Sequence, residues 1–134
     1  MAEGFPVSRE HPVYIVEDDG DVARSLALLL KLNGFESVCL ESADLLLASI
    51  ELLQPGCLLM DVRLPGRDGI SALEDLRKKN IGWPAIFMTG HLNPGMAALA
   101  AKAGALGVLA KPFSPDELVA MLDRADRELD EPVA

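Results

Sequence analysis

Five times along this chain a short run of mostly apolar residues gives way to a longer segment with helical spacing. The runs are Val13–Val16, Ser37–Leu40, Cys57–Met60, Ala85–Met88 and Gly107–Ala110. Compact runs rich in β-branched and large apolar side chains read as buried strands. After the first, Val22, Leu26, Leu29, Leu30 and Asn33 share one predicted helical face, with Arg24, Ala27 and Lys31 opposite, and Gly34 is placed to stop the helix. Ser42 caps a helix carrying Leu46, Ile50 and Leu53, which Pro55-Gly56 ends. Pro65-Gly66 and Asp68-Gly69 form a loop before a helix with Ile70, Leu73, Leu76 and Arg77. Asn93-Pro94 starts a helix whose inner face is Met96, Leu99, Ala100 and Ala103. Ser114-Pro115-Asp116-Glu117 reads as a capping box before a helix burying Leu118, Met121, Leu122, Ala125 and Leu129. Strict alternation of this kind predicts an α/β fold: a doubly wound, parallel five-stranded sheet with helices on both faces and right-handed crossovers.

The 134 residues form one expected domain, residues 12–130, between an N-terminal arm (1–11) and a short C-terminal tail (131–134). Twelve basic against 21 acidic residues give a net charge of −9. That balance argues against binding nucleic acid or anionic lipid, both of which need clustered Lys and Arg. No apolar run approaches the ~18 residues of a spanning helix, and the first residues carry no apolar signal core, so the expected location is the cytoplasm. Cys39 and Cys57 lack metal or redox spacing and are expected to be reduced core residues.

In a parallel sheet, function gathers at the carboxyl ends of the strands. The first run leads into Glu17, Asp18 and Asp19, the third into Asp61, the fourth into Thr89-Gly90-His91 and the fifth into Lys111-Pro112. Several carboxylates then share one edge with a hydroxyl and an ammonium. Crowded carboxylates repel, and a divalent cation such as Mg²⁺, which prefers hard oxygen ligands, removes that cost. One carboxylate can act as a nucleophile toward a phosphoryl group, while Lys111 and Thr89 hold its oxygens.

These segments resemble the receiver domain of bacterial two-component response regulators from about Pro12 to Leu129. The carrying pieces are Val16-Glu17-Asp18-Asp19, Met60-Asp61-Val62-Arg63-Leu64-Pro65-Gly66, Asp68-Gly69, Met88-Thr89-Gly90-His91, Ala103-Gly104-Ala105 and Lys111-Pro112-Phe113. The resemblance implies a flavodoxin-like strand order 2-1-3-4-5. It implies that Asp61 is the phosphoacceptor and that Thr89 and Lys111 bind the phosphoryl group. It implies Mg²⁺ held by Asp18 and Asp61, by Glu17 directly or through water, and by the Arg63 backbone carbonyl. Asp19 is the alternative in the acidic cluster, whose register the sequence leaves open by one. The Lys111–Pro112 bond is implied to be cis. The implied donor is a phosphohistidine on a sensor histidine kinase or phosphotransfer protein. The chain would then catalyse its own aspartyl phosphorylation and dephosphorylation without being a conventional enzyme.

Val108 stands where the family usually carries Tyr or Phe, so switching through that aromatic is in question. The chain is expected to act alone or as the receiver part of a longer transcription regulator. An interaction module that never accepts phosphate is a competing reading. A Mg²⁺-dependent aspartyl phosphatase is another, but Arg63 occupies the place where such enzymes carry a second Asp. His91, read as an exposed loop residue, and Arg63 are expected to flank the phosphoryl site and tune hydrolysis. His11 is expected to be inert, and Trp83 to be a packing residue. The small outer face of the fourth helix (Ala97, Ala98, Ala101) and the mixed charges of the fifth suggest a homodimer contact through the fourth helix, fifth strand and fifth helix.

Overall fold

The computed structural model describes residues 10–131. Five strands alternate with five helices: β1 (Val13–Val16), α1 (Gly20–Leu32), β2 (Ser37–Leu40), α2 (Ala43–Ser49), β3 (Cys57–Asp61), α3 (Gly69–Lys78), β4 (Ala85–Thr89), α4 (Pro94–Lys102), β5 (Gly107–Ala110) and α5 (Pro115–Asp130). The sheet is parallel throughout, in the order β2-β1-β3-β4-β5. The predicted strands coincide with the observed ones, β3 and β4 each running one residue further to include Asp61 and Thr89.

Each helix starts where a short polar side chain satisfies its free amides. Asp19, Ser42, Asp68, Asn93 and Ser114 accept from backbone N–H groups of the first turn. Ser114 and Glu117 complete the expected capping box. Gly34 ends α1 in the left-handed region at φ 84°, where a Cβ is disfavoured. The predicted second helix is shorter than its apolar pattern: α2 stops at Ser49 and tightens into a 3₁₀ turn, Ile50–Leu52.

The core has two layers. Alternate residues of β1 and β3 send Ile15 and Leu59 toward α1 and α5, and Val16 and Met60 toward α2, α3 and α4. Leu26, Leu30, Leu118, Leu122 and Ala125 close the first layer; Leu46, Leu73, Leu76, Ala100 and Ala103 close the second.

Three packing expectations change. The buried face of α1 is Ala23, Leu26 and Leu30 with Ala27 beside them, whereas Val22 is exposed and Leu29 and Asn33 are half-buried. Periodicity alone did not separate these two stripes, which share Leu26 and Leu30 and differ by a small rotation of the helix. Cys39 is exposed because β2 is an edge strand; Cys57 is buried in the central β3, where burial pushes its thiol well up. In α4 only Ala100 is fully buried. Leu99 is 59% exposed and Met96 is half-buried, so small residues seat this helix.

The amino end of the sheet is closed by aromatic packing. Tyr14 and Trp83 stack with ring centroids 5.6 Å apart, and the Tyr14 hydroxyl donates to the Gln54 carbonyl at 2.6 Å. Trp83 thus lies at the opposite end of β4 from Thr89. His11 Nε2 lies 2.7 Å from Asp130 Oδ1 and ties the residues just before β1 to the end of α5. Gly56 is required here by space. A Cβ at that position meets the Pro12 carbonyl oxygen at 2.4 Å and Tyr14 Cε2 at 2.8 Å. Gly56→Ala is therefore expected to lower stability by about 1–3 kcal/mol in urea unfolding followed by Trp83 fluorescence. Gly82→Ala, which meets nothing within 4 Å, is the control expected to change little.

Candidate functional site

The carboxyl ends of β1, β3, β4 and β5 bring four predicted side chains together. Glu17 follows the last residue of β1, Asp61 ends β3 and Thr89 ends β4; all three are buried. Lys111 follows β5 and reaches back across β4. Its Nζ lies 2.5 Å from Asp61 Oδ2 and 3.8 Å from Glu17 Oε1. The other Asp61 oxygen accepts from the Arg63 backbone N–H at 2.9 Å. The Asp61 carboxylate is thus oriented by one charged and one backbone donor.

Three features hold these groups in place. The Lys111 amide donates to the Thr89 carbonyl at 2.7 Å, which continues the β4–β5 ladder to the lysine. The Lys111–Pro112 peptide is cis, as the resemblance implied. Behind Asp61, Gly69 opens α3 so closely that a Cβ there meets the Asp61 carbonyl oxygen at 2.6 Å and Phe87 Cε1 at 2.9 Å. The sequence marked Gly69 only as a turn residue. Its spacing from Asp61 was visible, but the close approach arises from packing α3 against β3.

The acidic cluster divides its tasks. Asp19 Oδ1 caps α1, accepting from the amides of Asp21 and Val22 at 3.0 and 3.3 Å. Glu17 points inward, and its Oε2 accepts from the Asp19 amide at 3.3 Å. Asp18 is exposed beside it. Burial raises the Glu17 carboxyl above its ordinary value; a hydrogen bond with Asp18 and the charge of Asp61 push the same way, while the Asp19 amide and Lys111 oppose them.

Thr89 Oγ1 accepts from the His91 amide at 3.1 Å, which leaves its own proton free to donate. The His91 and Arg63 side chains are exposed at the site's margin. Val108 is half-buried and lines a cleft of about 300 Å³ with Leu92, Ala97, Ala101, Ala105, Leu106 and Gly107. Among the described residues, Glu10, His11 and Asp130 bring potential ligand atoms within 4.8 Å of one another, at the other end of the sheet. At the strand ends it is the Lys111 ammonium that offsets the carboxylates. The donor set there, Glu17, Asp18 and Asp61, consists of hard anionic oxygens and fits Mg²⁺ in chemistry.

A buried carboxylate that folding holds above its unfolded pKa costs stability once the solution is basic enough to ionise it. For Glu17 this cost is absent well below 4.5 and grows as the pH rises through and above that value. Glu17→Gln, measured by urea unfolding without divalent cation, is expected to stabilise the protein at pH 7 by on the order of 1 kcal/mol. The gain should shrink toward pH 4; a gain independent of pH would contradict this account.

Comparison with known proteins agrees with this geometry. Residues 13–123 match the response regulator receiver domain. The chain is 38% identical over 122 residues to the transcriptional regulatory protein FixJ of Bradyrhizobium diazoefficiens, covering 91% of this chain and 59% of that protein. It is 40% identical over 128 residues to nodulation protein W of the same organism, covering 91% and 56%. It thus spans somewhat over half the length of these curated relatives. The crystal structure of FixJ-N superposes with a TM-score of 0.84 at 35% identity, covering 94% of this chain and 98% of that one. A sheet of order 2-1-3-4-5 with an acidic pocket and a lysine at its carboxyl edge, matched over 13–123, makes this chain a member of the response regulator receiver domain family.

Proposed function

We propose that Asp61 accepts a phosphoryl group from a phosphohistidine on a sensor histidine kinase or phosphotransfer protein. The observation that carries this reading is the Asp61 carboxylate, buried at a strand end and held at 2.5 Å by Lys111 with Glu17 alongside. An Asp61 oxygen attacks phosphorus, the P–N bond breaks, and its electron pair stays on the imidazole nitrogen, which takes up a proton. Glu17, Asp18, Asp61 and the Arg63 carbonyl would hold Mg²⁺, which when bound offsets the charge gathering between carboxylate and phosphoryl oxygens. Lys111 shifts from the carboxylate to a phosphoryl oxygen, and the Thr89 hydroxyl donates to another. The chain promotes its own phosphorylation by positioning and charge neutralisation, and has no separate substrate to turn over.

The product is a signal carried by a change of contact surface. We assign that surface to α4, β5 and α5, where a phosphorylated pair of chains would form a homodimer using the mixed charges of α5. Val108 excludes rotation of an aromatic at its position, so the change has to run through the backbone and the small residues of α4. This chemistry belongs in the cytoplasm, where kinase and acyl phosphates are found. The length of the curated relatives supports a receiver working within a longer transcription regulator.

Incubation with Mg²⁺ and a small acyl phosphate is expected to add the mass of one phosphoryl group, and none to Asp61→Asn or without Mg²⁺. An adduct that persists in Asp61→Asn would overturn the assignment. Sedimentation of the phosphorylated chain is expected to give twice the monomer mass, and Arg127→Glu to abolish that doubling; unchanged mass removes the dimer. The exposed Arg63 and His91 side chains are proposed to control access of water to the aspartyl-phosphate. Substituting both by Ala is expected to change the phosphate's lifetime severalfold while leaving its formation intact, and an unaltered lifetime removes that role.

A further inference from the structure

At the amino end of the sheet, away from Asp61, the fold gathers a second set of side chains able to ligate a metal. Glu10, His11 and Asp130 offer two carboxylate oxygens and an imidazole nitrogen, all within 4.8 Å of one another. Glu10 and His11 lead into β1, and Asp130 is the last residue of α5. The two segments meet only through packing: His11 Nε2 lies 2.7 Å from Asp130 Oδ1 across 119 positions of sequence. The imidazole is half-buried, its side chain 21% exposed, so the ring is already turned toward the carboxylates.

The charge balance of this cluster is independent of its geometry and points the same way. Asp130, with Glu131 at the C-cap, puts negative charge at the end of α5, where the last carbonyls are already negative. Cations, not anions, are favoured at a helix carboxyl end. Among the described residues, no Lys or Arg nitrogen lies within 4.0 Å of the Glu10 or Asp130 carboxylate. Even a protonated His11 leaves two carboxylates against one positive charge. A local preference broken without a compensating partner marks a place where a ligand supplies the balance.

We propose that Glu10, His11 and Asp130 bind one Zn²⁺ ion, with water completing its coordination. An imidazole nitrogen beside two carboxylates suits Zn²⁺, whereas Mg²⁺ takes oxygen ligands and keeps its own waters. Two ligands on a tetrahedral Zn²⁺ lie about 3–3.5 Å apart. Glu10 and Asp130 are exposed, so small side-chain rotations bring their oxygens to that spacing. A carboxylate oxygen only accepts, so His11 Nε2 carries the proton it now directs at Asp130. Zn²⁺ takes that proton's place. From an imidazolium the proton leaves to solvent; in the neutral ring it passes through water to Nδ1. The bound ion clips the residues before β1 to the end of α5 and stabilises the folded chain by mass action. None of the phosphoryl-site residues takes part, so the inference stands apart from the assignment of Asp61.

The test is a titration of the whole ¹⁵N-labelled chain with a zinc salt, read at the imidazole nitrogens. The chain has two histidines, and exposed His91, which forms no ion pair among the described residues, serves as the lone-imidazole reference. Zn²⁺ is expected to move the His11 Nε2 resonance at about one-tenth or less of the concentration that moves His91, and Mg²⁺ to move neither ring. Glu10→Gln combined with Asp130→Asn is expected to weaken the His11 response about tenfold or more, since even groups that only orient a metal ligand are worth that much. Three results would overturn the proposal. They are equal response of the two histidines, a His11 response unchanged in the double variant, or a His11 response accompanied by a doubled sedimentation mass, which would place the ion between two chains.

Discussion

Lys111 reaches Asp61 at 2.5 Å although 50 residues and one intervening strand separate them. That contact is possible only because β3, β4 and β5 are parallel and end at the same edge. Its charge arithmetic is what makes the site tolerable. Two carboxyl groups, Glu17 and Asp61, are buried at the strand ends, and a single ammonium lies between them. Removing the ammonium leaves two buried acids facing each other, an arrangement that costs several kcal/mol unless one is protonated. The Glu17 carboxyl is raised chiefly by its burial, with the charge of Asp61 adding to the rise. Such a pocket gains from added positive charge.

Much of the surrounding architecture serves to keep those three groups in register. The sheet order places β3 at the centre, covered on both faces, so the Asp61 backbone has little freedom. Gly69 lets α3 press against the Asp61 carbonyl, and the Arg63 amide fixes one carboxylate oxygen. Phe113, just past the cis peptide, packs on the core formed with α1 and α5 and anchors the loop from which Lys111 projects. The contrast with α4 is marked. That helix buries one alanine and leaves Leu99 largely exposed, with clefts between it and both α3 and β5. The strand-end groups are thus held by close packing, whereas α4 is loosely seated.

Most of the fold was legible before any coordinates. The four-residue apolar runs gave the strand positions, and the caps Ser42, Asn93 and Ser114 gave three of the helix starts, because both signals are local. The gathering of Glu17, Asp61, Thr89 and Lys111 was also legible, since parallel topology alone brings strand ends together. Less legible were the faces of α1 and α4. Choosing between Val22 and Ala23, or between Leu99 and Ala100, depends on how the helix is rotated against a particular sheet, which hydropathy does not encode. Cys39 was misread for a similar reason: its strand is apolar, but an edge strand is covered on one side only when a neighbour supplies the cover.

By itself, then, the sequence determined which segments become strands and helices, that the strands run parallel, and which residue types meet at their ends, because each of these follows from spacing along the chain. Tertiary structure decided the matters that depend on distance between remote segments. It assigned Asp19 to capping α1 and Glu17 to the neighbourhood of Lys111. It made Gly56 and Gly69 obligatory through close backbone approach. It left β2 as an apolar strand with one side unpaired among the described residues, bracketed by two glutamates. Local preference can specify an element and its ends, but hydrogen-bond reach, burial and charge balance exist only once the elements are packed.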